Sequence, residues 1–409
     1  MADRVTSTRL VFHVGGYDPR SPERVHRRFV QELRRFEATW SVKAVASEPI
    51  ITADEARWNL LTEGPNWRVK TDYRLVRWDD LIESSERGSL WRRIPRGVHA
   101  FTDFLAGGAL GAYLRTNWRY AGFFLYPVVL LAVLVAVAVL VGVFVGRVSG
   151  VASAGILVGV AAFAGLIHWP GRWLHLPLLF DDWNFSRAYI KALDPVLDRR
   201  LERIAHEVVA AARDLRAEEI VLVGHSLGAV LAVDILDRAL SLYPALGRSD
   251  TRVVLLSVGS SILKIGLHRG ASRFRAALQR VANAEGVVWG EYQALTDVMN
   301  FYKTNPVACL GLATERSPVV RVVRIRRMLE PAAYRRIRRN FFRVHCQFVR
   351  ANDCRTSYDY FMFLCGPLPA AVQIHSPTGA MSAIGSDGCL LDINSGEASF
   401  LERAERAAH

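Results

Sequence analysis

The chain contains 409 residues, of which 51% are apolar, and carries a formal net charge of +13. This length is enough for one large α/β domain with insertions or for two ordinary domains, and a sizeable buried core is available. Because 47 of the 52 basic residues are arginine, a bias that genomic base composition can produce, the charge alone does not indicate a nucleic-acid partner. The five cysteines form no C-x-x-C pair and have no histidine at metal-ligand spacing, so we expect reduced, mostly buried thiols and no metal site.

The first predicted strand covers residues 9–14, and Gly15, Gly16 and Tyr17 follow it directly. Charged residues precede this strand where a signal peptide needs an apolar run, so we expect no secretion. Two glycines at the end of a strand let the backbone approach a bound acyl group, which predicts an oxyanion-type loop oriented by His13. A helix is predicted over residues 24–39, and strands over residues 41–46 and 73–78.

Two apolar segments follow, at residues 121–146 and 151–169, and neither contains Asp, Glu, Lys or Arg. As helices they would be about 39 Å and about 28 Å long, which predicts a transmembrane hairpin inside a membrane insertion at residues 91–180. Five arginines precede the first segment and Arg172 follows the second, whereas the connecting turn holds only Arg147, so both ends are expected to face the cytoplasm. Glycine spacings in both segments favour close helix packing. A buried helical hairpin of a soluble protein is the alternative.

Beyond the hairpin, helices are predicted over residues 197–216 and 229–240, and strands over residues 219–223, 252–258, 286–292 and 319–325. This alternation predicts the α/β class, with a mostly parallel sheet covered by helices on both faces. The α/β domain is thus expected at residues 1–90 and 181–370, with a C-terminal extension at 371–409. The hairpin is expected between the third strand and the helix that leads to the fourth.

The sequence Gly224-His225-Ser226-Leu227-Gly228 lies between one of these strands and the following helix. A bare G-x-S-x-G arises by chance in roughly one chain of this length in eight, so the flanking elements matter more than the motif. A strand, a sharp turn and a helix form the nucleophile elbow of serine hydrolases, in which the glycines leave room for crowded backbones. Ser226 is therefore the candidate nucleophile, and the Leu227 N–H is a candidate oxyanion donor.

A serine nucleophile needs a histidine base held by a carboxylate, and in this type of fold the acid and then the histidine follow the serine in the chain. Asp297 follows the strand at 286–292, and His345 follows the strand at 319–325, which is the required order. His268 precedes Asp297, His375 lies beyond a Gly-Pro break and His409 is the last residue, so we rank these three below His345. Asp234 and Asp237 lie on the elbow helix and are expected to point away from the site.

These features resemble the α/β-hydrolase superfamily, specifically its lipase and esterase branch, and are similar to bacterial membrane-anchored hydrolase-like proteins. The segments that carry the resemblance are HVGGYDP, VGHSLGA, QALTDVMNFYKTNP and RVHCQFVRAND. The resemblance implies an α/β-hydrolase fold and hydrolysis or transfer of an acyl group through an acyl-serine, with no metal or organic cofactor. The insertion departs from the family pattern, so the usual position of a lid does not carry over.

The expected function is hydrolysis of carboxylic esters of a lipid or another amphipathic acyl compound at a bacterial-type inner membrane, with the catalytic domain and both termini cytoplasmic. Expected partners are membrane lipids and the ester substrate, and no nucleic acid. The alternatives are a non-catalytic membrane-bound interaction module on a hydrolase fold and an acyltransferase that uses the same acyl-enzyme. The nine arginines between Arg321 and Arg343 form either a solvated helix face or a contact with anionic lipids.

Overall fold

The computed structural model describes residues 5–391, and within them one sheet contains nine strands. The strands are β1 (Thr8–Val14), β2 (Lys43–Ala46), β3 (Ile50–Ile51), β4 (Glu55–Glu63), β5 (Arg68–Val76), β6 (Glu219–His225), β7 (Arg252–Val258), β8 (Val287–Ala294) and β9 (Val319–Val323). Their order in the sheet is β2-β4-β5-β1-β6-β7-β8-β9, and β3 pairs with β4. The run from β5 to β9 is parallel, whereas β2, β3 and β5 pair with β4 in antiparallel register.

Helices flank this sheet, and the predicted α/β class with a mostly parallel sheet is confirmed. The helices are α1 (Pro22–Trp40), α2 (Asp79–Glu86), α3 (Leu90–Ala106), α4 (Ala109–Thr116), α5 (Trp118–Ser149), α6 (Ala152–Leu166), α7 (Leu176–Ile190), α8 (Pro195–Arg213), α9 (Gly228–Leu242), α10 (Ile262–Gly266), α11 (Ser272–Asn283), α12 (Pro306–Cys309), α13 (Ile325–Met328), α14 (Pro331–Ile337), α15 (Phe341–His345), α16 (Tyr360–Cys365) and α17 (Ala370–His375). A π-helical turn (Ile167–Gly171) follows α6, and a 3₁₀ turn (Cys346–Val349) follows α15.

The chain divides into two compact units. The first, which we call the sheet unit, comprises the described residues of Met1–Ile82, Asp194–Gly266 and Ala271–His409. The second, the helical unit, comprises Glu83–Leu193 and Leu267–Gly270. Residues 392–409 of the predicted C-terminal extension lie outside the described residues, and Ile374 and Ile384 from its earlier part are buried in the core of the sheet unit.

The sheet unit buries apolar side chains on both faces of its central strands, because successive residues of a strand point to opposite faces. Val11 and Val221 pack on one face, together with Phe29 of α1 and Phe361 of α16. On the other face, Arg74 of β5 forms an ion pair with Glu207 of α8. The elbow helix α9 also packs there, against β1, β6 and β7. The central strands β6 and β7 are almost entirely buried, which explains why their sequences are runs of Val, Leu and Ile without polar alternation.

Two strands of the antiparallel edge, β3 and β4, were not predicted, and β5 begins earlier than the strand expected at residues 73–78. In β4 buried and exposed residues alternate from Ala56 to Leu60, which is the pattern of a strand with one solvated face, so the signal for this strand is present in the sequence. The apolar hairpin lies between the fifth strand and the helix that leads to the sixth. These are the strands predicted at residues 73–78 and 219–223, so only their numbering in the sheet differs from the prediction.

The helical unit contains two helices long and apolar enough to cross a membrane, Trp118–Ser149 and Ala152–Gly171. The first helix continues through Arg147, so the connection is shorter than predicted and consists of Gly150, in the left-handed region (φ 68°), and Val151. A Cβ atom at Gly142 would lie 2.7 Å from the Gly155 carbonyl oxygen, so the helices meet at their glycines. Large apolar side chains such as Phe144 and Leu157 are 68% and 71% exposed, unlike those of a helix in a soluble core.

Candidate active site

Ser226 lies in the turn between β6 and α9, at the carboxyl edge of the sheet. Its φ of 56° places it in the left-handed region, which a serine occupies only when the surrounding structure holds it there. Three backbone hydrogen bonds do so: the Ser226 N–H donates to the Val258 carbonyl (3.2 Å), and the Ser226 carbonyl accepts from the N–H groups of Ala229 (3.1 Å) and Ser261 (3.0 Å). The strand, the strained turn and the helix predicted from the motif are all present.

The two glycines of the motif are required by close approach of backbone to backbone. A Cβ atom at Gly224 would lie 2.4 Å from the Ala229 Cα, where strand and helix cross. A Cβ atom at Gly228 would lie 2.1 Å from the Val14 carbonyl oxygen at the end of β1. Backbone atoms in a packed sheet do not move aside for a side chain, so only glycine is compatible with either position.

Asp297 and His345 come together although 48 residues separate them in the chain. The Nδ1 of His345 lies 2.7 Å from the Asp297 Oδ2, and since a carboxylate accepts, Nδ1 carries the proton. The other carboxylate oxygen, Oδ1, accepts from the Met299 N–H at 2.9 Å, which fixes the plane of the carboxylate. Both side chains are buried, with 3% of His345 and 0% of Asp297 exposed.

The remaining nitrogen of His345, Nε2, is buried and has no hydrogen-bond partner among residues 5–391. A Cβ atom at Gly259 would lie 3.1 Å from the His345 Cε1, the ring carbon bonded to Nε2. Gly259 directly follows Val258, whose carbonyl binds the Ser226 N–H. The structure thus brings Ser226, His345 and Asp297 to one edge of the sheet, and the imidazole edge that is free to accept a proton lies next to the segment that holds Ser226.

His225 of the elbow packs against His345, with ring centroids 4.6 Å apart. Its Nε2 lies 3.3 Å from the His345 carbonyl oxygen, which accepts, so this nitrogen carries the proton. Burial, followed by the nearby His345 and His13, lowers the pKa of His225 well below its usual value. His225 is therefore neutral near pH 7 and packs against the histidine of the site without adding a charge.

The loop after β1 contacts the elbow directly, because β1 and β6 are neighbours in the sheet. A Cβ atom at Gly16 would lie 2.9 Å from the Ser226 Cβ, and the Gly15 carbonyl accepts from the Trp78 Nε1 at 3.2 Å. The ring of Tyr17 packs edge-on against Trp78, with centroids 5.9 Å apart. Leu227 is buried and occupies the N-cap position of α9, directly after Ser226. Gly16 and Leu227 thus lie beside the serine, the Gly15 carbonyl lies against Gly228 of the elbow, and Tyr17 follows on the same loop.

His13 lies in β1 just before this loop, and its hydrogen-bond partner in the described part of the chain is a tyrosine hydroxyl and not a carboxylate. The His13 ring is hydrogen-bonded through Nδ1 to the Tyr360 hydroxyl (2.9 Å), which in turn lies 3.1 Å from the Tyr73 hydroxyl. Burial, and then the positive charge of Arg28, lower the pKa of His13 to about 3. A neutral, hydrogen-bonded imidazole at this position agrees with an orienting role.

The other candidate residues lie elsewhere. His268 belongs to the helical unit, where its Nε2 lies 3.2 Å from the Asp103 carbonyl oxygen. His375 ends α17 and is hydrogen-bonded to its own helix, and His409 lies outside the described residues. Asp234 and Asp237 form ion pairs with Arg238 and Arg280, as expected for residues that point away from the site. Within residues 5–391 no group of three or more His, Cys, Asp or Glu is placed to bind a metal ion.

All five cysteines are free, but the expectation that most are buried is wrong. In the described chain only Cys365 is buried; Cys346 and Cys389 are half-buried, and Cys309 and Cys354 are exposed. Cys309 ends the short helix α12 and Cys354 lies in a bend, which a cysteine count from the sequence does not reveal.

Glu291, a fully buried carboxyl group on β8, was not predicted from the sequence. Ser257 and Ser260 donate hydrogen bonds to it, the latter at 2.6 Å, and burial raises its pKa to about 7. The next residue after Ser260 is Ser261, whose N–H donates to the Ser226 carbonyl. Glu291 therefore supports the segment that holds the elbow, and a lone glutamate inside the apolar strand VVWGEYQA was the signal available.

Three arginines, Arg20, Arg28 and Arg350, also lie near the site and were not predicted. No pattern in the sequence distinguishes them from the many surface arginines.

No family model, curated protein or solved structure matches this chain. The function is therefore inferred from the residues of the site.

Proposed function

We propose that the chain is a serine hydrolase with an α/β-hydrolase fold that cleaves carboxylic esters through an acyl-serine intermediate. One observation carries the proposal: the His345 imidazole donates from Nδ1 to the buried Asp297 and leaves Nε2 unpartnered among the described residues, next to the segment of Val258 and Gly259 that holds the strained Ser226. A buried polar atom without a partner destabilises the fold, so a free nitrogen on an interior histidine calls for a functional reason. A general base needs one nitrogen free.

The reaction follows from this arrangement. Ser226 Oγ attacks the ester carbonyl while His345 Nε2 takes its proton, and Asp297 stabilises the imidazolium that forms. The negative charge on the carbonyl oxygen is stabilised by the Leu227 N–H and by the loop of Gly15, Gly16 and Tyr17. His345 then protonates the departing alcohol, which leaves an acyl-serine. A water molecule, deprotonated by His345, attacks the acyl group and releases the carboxylic acid and the free serine.

We propose that α5 and the helix of residues 152–171 anchor this hydrolase in a bacterial-type inner membrane, with the sheet unit on the cytoplasmic side. Their lengths, about 48 Å and about 30 Å, are enough to span the bilayer core. The exposed apolar side chains and the arginines at the outer ends of the hairpin support this placement. An amphipathic ester, including a lipid, is the substrate class that such an anchor favours.

A fluorophosphonate probe tests the nucleophile, because it phosphonylates only an activated serine. The full chain in a neutral detergent is compared with Ser226→Ala and with Ser241→Ala, a matched change on the same helix whose hydroxyl bonds to its own backbone. We expect labelling of the wild type and of Ser241→Ala, with the adduct mapped to Ser226, and none of Ser226→Ala. A folded wild-type protein that the probe does not label would contradict the proposal.

Cell fractionation tests the anchor. We expect the full chain to remain in the membrane pellet after a carbonate wash and to require detergent for release. Recovery in the soluble fraction without detergent would show that the hairpin does not span a membrane, and it would leave the proposed chemistry of Ser226 unaffected.

A further inference from the structure

We propose that Arg20, Arg28 and Arg350 form a subsite for an anionic group of the substrate, so that the ester cleaved at Ser226 also carries a phosphate or a carboxylate. We call these three residues the arginine subsite. The proposal rests on the proposed function for the assignment of the ester, whereas binding of an anion by the subsite is testable without catalysis.

The first arginine is on the loop that covers the elbow. Arg20 lies four residues after Gly16, which contacts Ser226, and its Nε donates to the Asp18 Oδ1 at 2.8 Å. Both side chains are half-buried. This pair therefore places one guanidinium group, held in a defined orientation by a carboxylate, on the same short segment as the candidate oxyanion residues.

The second and third arginines lie on two segments that meet, α1 and the segment that follows His345. Glu32 of α1 accepts from the Ala351 N–H at 3.1 Å. Arg28 is one helical turn before Glu32 and so lies on the same face of α1, while Arg350 directly precedes Ala351. Arg350 directly follows the 3₁₀ turn Cys346–Val349, which begins next to His345, so its guanidinium group belongs to the surroundings of the histidine of the site.

Neither Arg28 nor Arg350 has an ion-pair partner within residues 5–391. The Nε of Arg350 is buried there and has no hydrogen-bond acceptor. Burial, and then the positive charges of Arg20 and Arg350, lower the pKa of Arg28 from its usual value. Burial raises the pKa of the neighbouring Cys346 thiol, so this group stays neutral. Of the nearby carboxylates, Asp18 pairs with Arg20, whereas Glu32 and Asp353 both pair with Arg35, so within residues 5–391 Arg28 and Arg350 are left without a paired negative charge.

A half-buried cluster with excess positive charge is unfavourable unless an anion completes it. The guanidinium group suits this purpose, because its planar N–H groups match the oxygens of a carboxylate or a phosphate. The field of the cluster also reaches the site, since Arg28 contributes to the lowered pKa of both His13 and His225. An anionic group held here lies near the ester carbonyl at Ser226 and positions it for attack.

Two pairs of esters test the subsite with the full chain in neutral detergent. The soluble pair is 4-nitrophenyl butyrate and the 4-nitrophenyl monoester of succinic acid, which adds a carboxylate. The lipid pair is dihexanoylglycerol and dihexanoyl phosphatidic acid, which adds a phosphate. We expect a higher kcat/KM for at least one anionic member, and loss of that preference by about 10- to 100-fold in Arg28→Gln and Arg350→Gln. The pair that shows the preference identifies a soluble or a lipid source of the anion.

Arg335→Gln is the matched control, because Arg335 is exposed on α14, and it should keep the wild-type preference. Arg28→Lys should keep part of it, since the charge remains. If wild-type kcat/KM is the same for both members of each pair, or if Arg28→Gln lowers both members equally, the subsite is refuted.

A binding measurement separates failure of the subsite from failure of the proposed hydrolase. Butyl phosphate is added to the wild type and to Ser226→Ala, with butanol at equal ionic strength as the control. We expect Tm to rise by about 2 °C or more in both proteins and to stay unchanged in Arg28→Gln and Arg350→Gln. An equal rise in all four proteins, or none in any, overturns the subsite. Binding to Ser226→Ala without hydrolysis by the wild type would overturn only the proposed hydrolase.

Discussion

Gly16→Ala tests the geometry of the candidate oxyanion loop. The added Cβ would lie 2.9 Å from the Ser226 Cβ, whereas carbon atoms in contact are separated by about 3.5 to 4.0 Å, a shortfall of at least about 0.6 Å. Ser226 does not move aside, because its N–H and its carbonyl are both hydrogen-bonded and its φ is already strained. The loop after β1 therefore has to move away from the serine.

A movement of the loop by this distance should lower the rate of the reaction. Displacement of a reacting or stabilising group by about 1 Å lowers rates by about 100-fold, and removal of one oxyanion donor lowers kcat by about 10²- to 10³-fold. We expect Gly16→Ala to lower kcat/KM for 4-nitrophenyl butyrate by about 100-fold and to slow fluorophosphonate labelling to a similar extent. The midpoint of thermal unfolding should change little, because the loop is only half-buried.

Gly15→Ala is the matched control on the same loop. A Cβ atom at Gly15 has only one neighbour within 4 Å, the His13 Nε2 at 4.0 Å, so kcat/KM should stay within about threefold of the wild-type value. The reasoning is refuted if Gly16→Ala retains wild-type kcat/KM, or if Gly15→Ala loses as much activity as Gly16→Ala.

Two further predictions concern buried carboxyl groups. Asp297→Asn should lower kcat by about 10³- to 10⁴-fold, because the amide no longer holds His345 with its proton on Nδ1; Asp234→Asn on the elbow helix is the control, and equal kcat values in the two variants would argue against the assignment. Glu291→Gln should stabilise the protein increasingly as the pH rises. Burial raises the pKa of Glu291 from 4.5 to about 7. The stability of the wild type that depends on protonated Glu291 is therefore fully present below about pH 4.5 and is lost as the pH rises towards 7. The free energy of unfolding of Glu291→Gln should exceed that of the wild type by at most about 3 kcal/mol above pH 7. Denaturant titration of both proteins between pH 5 and pH 8 measures this difference, and a difference that is the same at every pH would disprove the prediction.

Glu291 also links the pH dependence of stability to the site. Its ionisation places an unpaired charge behind the segment of Ser257 and Ser260, whose neighbour Ser261 binds the Ser226 carbonyl. The hydroxyl donors of the two serines reduce the cost of that charge, and burial outweighs them. We therefore expect the elbow of the wild type to be held most firmly at mildly acidic pH.

The elbow and the apolar hairpin could be predicted from the sequence because both are local. Gly224 and Gly228 flank Ser226, and the strand and the helix adjoin them, so a short stretch of chain contains every residue that shapes the turn. The hairpin follows from the length of two uncharged segments. Its connection was misplaced by a few residues, because Arg147 is compatible with either a helix end or a turn.

Chain order predicted which acid and which histidine to consider, but the contact between Asp297 and His345 depends on the sheet. The two residues meet because β8 and β9 are parallel neighbours whose carboxyl ends open at the same edge. His268 has an equally plausible local sequence, and the fold places it in the helical unit. A histidine's sequence neighbours do not reveal whether its second nitrogen finds a partner.

The antiparallel pairing at the edge of the sheet, Glu291 and the arginine subsite were decided by tertiary structure alone. An arginine in a chain with 47 of them is unremarkable until the fold shows which ones lack a carboxylate, and Arg28 and Arg350 are 322 positions apart. Charge interactions depend on distance through space and on burial, both of which the sheet imposes on residues far apart in the chain. Local backbone geometry and apolar length, in contrast, are determined by neighbouring residues, so the sequence by itself determined the elbow and the hairpin.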